Sequence, residues 1–243
     1  MSPRRVGILG GMGPQATVLL MDRLIAAVPA RDDADHVPLI VDQNPQVPSR
    51  MRFLLDGAGE DPAPTLAAMA RRLEGAGAEA LAMPCNTAHH FVDAIRAASG
   101  LPFLDMVAAS VARARELAGG GPVGILGSPA LRRIGVFDRA CAGAGPVLLW
   151  PPDEAALREA IAAIKAGGSH DAPRATLRAA SAELLQRGAR VQLVACTEFS
   201  LVADPTAPNV IPLDTLDILV KLIRDFAMDD KPATSADSNR RAT

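Results

Sequence analysis

The feature of this sequence that most limits its fold is an internal repeat. The pentapeptide Val-Gly-Ile-Leu-Gly occurs at residues 6–10 and again, letter for letter, at residues 123–127. Two further landmarks follow each copy in the same order and at nearly the same spacing. One is a cysteine after an apolar run, Cys85 and then Cys196, and the other is a Pro-containing segment that ends in Asp before a helix. Recurrence in one order indicates duplication, so we expect two homologous halves.

Short apolar runs bounded by Gly or Pro alternate with longer amphipathic stretches along the whole chain. This alternation is typical of βα units and a parallel sheet. The predicted class is α/β, with two pseudo-symmetric, doubly wound parallel-sheet halves and an active site in the cleft between them. Strands are predicted at 6–9, 38–42, 80–83, 123–126, 147–150 and 191–195, and helices at 15–28, 63–76, 87–99, 108–118, 154–165, 174–187 and 216–228.

The repeat also predicts where the halves begin and end. The first half is assigned to residues 1–107 plus about 212–228, and the second half to residues 108–211. Residues 229–243 are polar without apolar periodicity, so a disordered tail is predicted there. Residues 43–65 are rich in Pro and Gly and are predicted to be a loop that covers the cleft.

The composition argues against some mechanisms and binding partners and indicates where in the cell the protein is expected. Of the 243 residues, 49% are apolar but only 3% are aromatic, and the absence of Tyr excludes a tyrosine-based mechanism. A net charge of −2 argues against nucleic-acid and anionic-membrane partners, because phosphate binding usually leaves a basic surface. Neither a signal peptide nor an apolar run of membrane-spanning length is found, so we expect a cytoplasmic protein with reduced thiols.

The two repeated cysteines are the strongest chemical signal. Each follows a predicted strand and precedes a helix, where backbone N–H groups and the helix dipole favour a thiolate. Two thiols that face one small ligand suit inversion of a stereocentre, in which one removes a proton and the other returns a proton to the opposite face. Ordinary burial of the thiols, or a disulfide between them, is the alternative. Cys141 has no repeat partner and is assigned to packing.

Two other signals in the sequence, a pair of histidines and a glycine-rich turn, are weighed against this interpretation, as is a metal site. His89 and His90 follow Cys85, but helical spacing directs them away from the strand end, which favours capping or packing. With four His and no Cys-x-x-Cys, no metal site is expected. Residues 11–16 match a dinucleotide-binding fingerprint, with Asp42 as a candidate ribose acceptor. That match leaves the paired cysteines unexplained.

Over nearly its whole length apart from the tail, the sequence resembles the PLP-independent aspartate racemases of the aspartate/glutamate racemase superfamily. The resemblance is carried by residues 7–14 (Gly-Ile-Leu-Gly-Gly-Met-Gly-Pro), 16–17 (Ala-Thr), 44–50 (Asn-Pro-Gln-Val-Pro-Ser-Arg), 83–89 (Met-Pro-Cys-Asn-Thr-Ala-His) and 196–198 (Cys-Thr-Glu).

This resemblance implies roles for individual residues. Cys85 and Cys196 would be the acid/base pair, Arg50 would pair with a substrate carboxylate, and Lys165 would contact the region of the other carboxylate. No cofactor is implied, the partner is a small amino acid, and the protein is expected to be a homodimer. The full set of expected substrate-binding residues is Met12, Arg50, Asn86, Thr87, Lys165, Thr197 and Glu198.

Small differences within the superfamily bear on the substrate. Glutamate racemases carry Asp-Ser-Gly near the first strand and a His after the second Cys-Thr, whereas this chain has Gly11-Met12-Gly13 and Glu198, which favours aspartate. Ala195 and Phe137 depart from the usual residues, so glutamate or a broader amino-acid range is an alternative substrate. A related carbon-acid isomerase or decarboxylase is also compatible with these residues, as is a non-catalytic amino-acid or nucleotide binding module.

Overall fold

The computed structural model describes residues 3–143 and 145–229, and its strands form two separate parallel sheets. The elements around the first sheet run from residue 6 to residue 104. They are β1 (Val6–Gly10), α1 (Pro14–Ala27), β2 (Leu39–Gln43), α2 (Arg50–Leu54), α3 (Pro62–Gly75), β3 (Ala80–Ala82), α4 (Val92–Ala98) and β4 (Phe103–Leu104), with 3-10 helices at Asp33–Asp35 and Thr87–Phe91.

The elements that follow form the second sheet and the helices around it, and they end with α10. They are α5 (Met106–Ala118), β5 (Val123–Gly127), α6 (Pro129–Ile134), α7 (Val136–Ala140), β6 (Leu148–Leu149), α8 (Glu154–Lys165), α9 (Asp171–Gln186), β7 (Val191–Ala195), β8 (Ile211–Asp214) and α10 (Thr215–Met228), with a 3-10 helix at Phe199–Leu201.

The two sheets have the same topology, which is the structural counterpart of the repeat. The strand order is β2-β1-β3-β4 in the first sheet and β6-β5-β7-β8 in the second, and every neighbouring pair is parallel. In each half the first and third strands are therefore central. Parallel sheets bind ligands beyond the carboxyl ends of such strands, where the order reverses. Two α/β halves are thus confirmed.

Close packing of helices on the central strands explains the repeated glycines. A Cβ at Gly7 would lie 3.1 Å from Leu73 Cβ on α3, and one at Gly124 would lie 3.1 Å from Leu184 Cδ1 on α9. A Cβ at Gly10 would come within 2.7 Å of Thr17 Cγ2. Such approaches are too close for a well-packed interior, so both copies of the pentapeptide need glycine for the same steric reason.

Helices cover both faces of each sheet, and aliphatic residues fill the layers between them. One face of the first sheet packs on α3 and α4, and the other packs on α1 and α10. The second sheet lies between α5 with α7 on one face and α8 with α9 on the other. The helix α10 is the last described element but packs on α1, and its Ala227 carbonyl accepts a 2.9 Å hydrogen bond from the Arg4 N–H. This supports the proposal that the C-terminal helix belongs to the first half.

The structure corrects several predicted elements. The predicted loop at residues 43–65 is wrong in part, because it contains α2 and the start of α3. The predicted helix at residues 87–99 begins as a 3-10 helix before α4. The short strands β4 and β8 lie where the sequence predicts only landmarks before helices. The predicted tail lies outside the described residues, except for Asp229.

A buried amide is fully satisfied inside the second half. Gln192, on the central strand β7, is 0% exposed. Its Oε1 accepts a 2.7 Å hydrogen bond from the Ser181 hydroxyl, and its Nε2 donates to the Ser181 and Ala189 carbonyls. The Ser181 hydroxyl also accepts from the Ala207 N–H at 2.9 Å. This network joins α9, β7 and the segment that leads to β8.

Replacing Ser181 with alanine is expected to lower the free energy of unfolding by about 1 to 3 kcal/mol, because the substitution leaves buried polar groups without a partner. Gln192 Oε1 loses its donor and the Ala207 N–H loses its acceptor. Urea unfolding followed by circular dichroism measures the change. The exposed Ser169, which precedes the same helix, is the matched control, and an equal loss in Ser169→Ala would contradict the prediction.

Within the described residues, the helices are all too short or too polar to cross a lipid bilayer.

Candidate active site

Both repeated cysteines lie at the carboxyl ends of central strands. Cys196 directly follows β7, and Cys85 follows β3 after Met83 and Pro84. Both are free thiols and each residue is 7% exposed. Because β3 and β7 occupy equivalent places in the two sheets, the thiols occupy equivalent ends of the duplicated unit.

Hydrogen bonds between the halves bring these two strand ends together. The Thr197 hydroxyl donates to the carbonyl of Pro84 at 3.2 Å, so the residue after one cysteine contacts the residue before the other. On the other side, Asn86 Nδ2 donates to Thr215 Oγ1 at 2.9 Å, and that hydroxyl donates to the Val194 carbonyl on β7 at 3.0 Å. The residue after Cys196 is therefore tied directly to the first half, and the residue after Cys85 is tied to β7 through Thr215.

Burial dominates the acidity of both thiols. It raises the pKa of Cys85, although Arg50 and the Ala88 N–H act in the opposite direction. The pKa of Cys196 is raised further, by burial first and then by the charge of Glu198 and a hydrogen bond to it. The expectation that the strand-to-helix junction favours both thiolates is therefore wrong for the free protein. The backbone N–H groups do favour the thiolates, but the loss of solvation outweighs them.

Glu198 and Lys165 form a charged pair beside Cys196. The Cys196 thiol donates to Glu198 Oε2 at 3.0 Å, and Lys165 Nζ lies 3.2 Å from the other carboxylate oxygen. The Glu198 side chain is 10% exposed and that of Lys165 is 47% exposed, so the pair reaches from the cysteine toward solvent. Both residues were predicted to bind substrate, and the structure brings both to the second cysteine.

Arg50 begins the short helix α2, which spans from the first half to the second. Ser49 caps this helix by accepting from the Arg52 N–H. The hydroxyl of Ser128, at the start of α6, lies 3.3 Å from Met51 Sδ, and Arg133 donates to the Leu55 carbonyl at 3.0 Å. The segment predicted as a covering loop is thus partly helical and contacts both halves.

The guanidinium of Arg50 is held by its own loop. Its Nη1 donates to the carbonyls of Val47 and Pro48 at 3.0 and 2.9 Å. The positive charge of Arg50 acts on Cys85, because it lowers the pKa of that thiol against the effect of burial. Arg50 is therefore near the first cysteine, as Lys165 is near the second.

The remaining predicted binding residues surround the first cysteine or the turn after β1. Met12 is 3% exposed and belongs to the same buried cluster as Cys85. A Cβ on the next residue, Gly13, would lie 3.5 Å from Glu198 Oε1, so the turn borders the charged pair. Thr87 is half-buried at the start of its 3-10 helix. Asn86 Oδ1 is buried and finds no partner among the described residues.

His89 is closer to the first cysteine than its spacing indicated. Its Nδ1 lies 2.8 Å from the Cys85 carbonyl and, because a carbonyl only accepts, this nitrogen carries the proton. Burial lowers the pKa of His89, which keeps the ring neutral. The contact is with backbone rather than with sulfur, so the histidine positions the strand end. Sequence reasoning also missed Thr215, although it directly follows the repeated Asp214 landmark.

The residues of the dinucleotide alternative have other partners. The carboxylate of Asp42 is paired with Arg72 at 2.7 Å. Gly11 has φ of 92°, and a Cβ there would lie 2.3 Å from the carbonyl carbon of Asn44. Close backbone packing therefore explains this glycine without a nucleotide.

Comparison with known proteins agrees with the resemblance. A model of the Asp/Glu/Hydantoin racemase family matches residues 9–223. The broad specificity amino-acid racemase RacX of Bacillus subtilis (strain 168) is 25% identical in an alignment of 230 residues that covers 89% of this chain and 95% of RacX.

Solved structures share the fold. The aspartate racemase of Picrophilus torridus superposes with a TM-score of 0.82 at 24% identity, covering 92% of this chain and 94% of that one. The glutamate racemase of Francisella tularensis subsp. tularensis SCHU S4 has a TM-score of 0.64 at 13% identity, with 93% and 81% covered. Since the family model spans most of the sequence, the chain belongs to the Asp/Glu/Hydantoin racemase family and is an isomerase of the amino-acid racemase type.

Proposed function

We propose that this protein interconverts L- and D-aspartate without a cofactor, by proton transfer between Cys85 and Cys196. The observation that carries the proposal is that two free, equivalent thiols lie at strand ends that are tied together by the Thr197–Pro84 hydrogen bond and by Thr215, which links Asn86 to β7. A racemase must deliver and remove protons on opposite faces of one carbon, and two thiols from opposite halves supply one group for each face.

The reaction needs one ionised and one protonated thiol. The thiolate of Cys85 takes the α-proton, which forms its S–H bond and leaves the electron pair on the α-carbon. The S–H bond of Cys196 then breaks and its proton adds to the opposite face, leaving a thiolate there. The other enantiomer follows the same steps in reverse. Positive charge and hydrogen-bond donors around the substrate carboxylate stabilise the intermediate carbanion.

Arg50 is proposed to hold a substrate carboxylate. Its Nη1 is used by two backbone carbonyls, and the edge formed by Nε–H and Nη2–H has the geometry for a bidentate carboxylate. Asn86 Oδ1, buried and without a partner among the described residues, is a proposed acceptor for the substrate ammonium group. One Nδ2 hydrogen is donated to Thr215, and the atom of this side chain that finds no partner among the described residues is an acceptor.

A broader amino-acid range is the second candidate, and the charged pair beside Cys196 favours it. Lys165 lies 3.2 Å from Glu198, so a distal substrate carboxylate would have to compete with Glu198 for this cation. A side chain without a distal carboxylate would not meet that competition. The similarity to a broad specificity racemase is in keeping with this candidate. A homodimer stays a prediction.

The test is to incubate the purified protein with single L-amino acids, without added pyridoxal phosphate, and to separate the enantiomers by chiral chromatography. We expect D-aspartate to form faster than D-glutamate or the D-forms of neutral and basic amino acids. Faster racemisation of a neutral or basic amino acid would support the broad candidate instead. If no amino acid is racemised, the proposal is wrong, and malonate-type acids then test for a decarboxylase.

A further inference from the structure

The two halves differ in charge at one repeated position. The second residue after the first cysteine is Thr87, which is neutral, whereas the second residue after the other cysteine is Glu198. The rest of the duplication makes the two thiols equivalent, since both follow central strands and both are 7% exposed. Cys196 therefore has a carboxylate two residues away, and the equivalent position after Cys85 has none.

Glu198 is placed to act on the proton of Cys196. The thiol donates to Oε2 at 3.0 Å, so ionisation of Cys196 would remove this hydrogen bond and leave two negative groups in contact. Lys165 holds the other oxygen, Oε1, at 3.2 Å and keeps the carboxylate in place. Glu198 is only 8% exposed, so solvent screens the interaction weakly.

Cys85 faces a different set of charges. The guanidinium of Arg50 on α2 favours its thiolate, Lys165 on α8 acts more weakly in the same direction, and Glu198 opposes them from across the cleft. On its own element, the neutral ring of His89 contacts the Cys85 carbonyl rather than the sulfur. Around Cys196, the acting charges are Glu198 and Lys165. The positive charge of Arg50 therefore favours the thiolate of Cys85, whereas the thiol of Cys196 is hydrogen-bonded to the carboxylate of Glu198.

We propose that Glu198 holds the proton on Cys196, so that the first thiol to ionise in the free enzyme is Cys85. The inference rests on the proposed two-thiol function and assigns Glu198 as a positioning residue instead of a substrate contact. It predicts that the resting form of the free enzyme is the one that starts with Cys85 as base and Cys196 as acid, and that the reverse direction starts from the less populated form with the thiolate on Cys196. After one turnover the thiolate is on Cys196, and transfer of a proton from Cys85 to bulk water and from water to Cys196 restores the resting form.

The test follows each thiol separately and needs no substrate. In a Cys141→Ser background, the rate of alkylation by iodoacetamide is measured from about pH 6 to 11, a range that brackets the ordinary thiol pKa, and mass spectrometry resolves the two cysteines. Site resolution matters because interacting thiols titrate as a pair in any bulk signal. In the otherwise unchanged protein, the alkylation of Cys85 is expected to reach its half-maximal rate at a lower pH than that of Cys196.

The variant Glu198→Gln keeps the size of the side chain and removes its charge. We expect the Cys196 profile to move down by at least about one pH unit, which is a tenfold change in its acidity. The Cys85 profile should move down less, because Glu198 is a smaller influence there. The matched control is Glu159→Gln on the exposed face of α8, and neither profile should move.

Two results would overturn the inference. In one, alkylation of Cys196 reaches its half-maximal rate at the same pH as that of Cys85 or at a lower pH. In the other, the Cys196 profile is unchanged in Glu198→Gln. The first comparison needs no variant of Glu198, so it holds even where that variant folds poorly. Both readouts are independent of racemisation, so a protein without aspartate racemase activity still tests the role of Glu198.

Discussion

Alanine in place of Cys85 or Cys196 is expected to slow aspartate racemisation by about 10²- to 10⁴-fold, the range that a positioned general acid or base contributes. Each substitution removes the proton-transferring group on one face of the substrate, and racemisation needs both faces. The sulfur atoms are buried at strand ends that hydrogen bonds from Thr197 and Thr215 hold together, so we expect the backbone to stay in place. Initial rates of D-aspartate formation, measured by chiral chromatography, give the change.

Cys141 provides the matched control for this prediction. It lies at the end of α7, half-buried, and its neighbours belong to the hydrophobic core of the second half. Cys141→Ala should keep the full rate. Thermal unfolding of the three variants checks that lost activity is not lost structure. A well-folded Cys85→Ala or Cys196→Ala variant that racemises aspartate at the normal rate would exclude a two-thiol mechanism.

Replacing Arg50 is expected to lower kcat/KM for aspartate by about 10- to 100-fold, since hydrogen bonds to charged groups contribute about 1.5 to 3 kcal/mol. Two replacements separate its geometry from its charge. Arg50→Lys keeps the charge but loses the bidentate edge, so KM should rise while the pH dependence stays the same. Arg50→Gln also removes the charge that favours the Cys85 thiolate, so its activity should rise only at higher pH.

Arg52, two residues further along α2, is the control for Arg50. It is exposed, and its side chain is not proposed to touch substrate. Arg52→Gln should leave kcat/KM close to the normal value. Equal losses in Arg50→Gln and Arg52→Gln would mean that α2 needs positive charge in general and that Arg50 has no specific role in binding.

The sequence predicts the central part of the fold because the same packing constraint acts at both copies of the pentapeptide. Gly7 and Gly124 are needed where α3 and α9 pack on the central strands, so the same residue type recurs at equivalent positions of both copies. The edge strands β4 and β8 are missed because Pro102 precedes one and Pro212 lies inside the other, and proline counts against a strand in a sequence pattern. The helix α2 contains only five residues, and its contacts with Ser128 and Arg133 of the other half are far away in the sequence.

The candidate site is likewise predictable from the sequence only in part. Cys85 and Cys196 are predictable because their position after a strand is a local feature, and the duplication pairs them. Their acidity is not predictable from that position, because it depends on how completely the two halves bury the sulfur atoms. Glu198 is identified by its place after the second cysteine, but its hydrogen bond to the Cys196 thiol depends on side-chain orientation in the folded cleft.

The central claim, proton transfer between two thiols, is tested most directly by the racemisation of L-aspartate in deuterium oxide. The reaction is stopped early, and the α-hydrogen of each enantiomer is analysed by mass spectrometry after chiral separation. If two separate thiols transfer the protons, D-aspartate carries deuterium at the α-carbon, because the donor thiol has exchanged with solvent. The remaining L-aspartate keeps protium. D-aspartate that retains protium, or L-aspartate that gains deuterium as fast as D-aspartate forms, would contradict the claim.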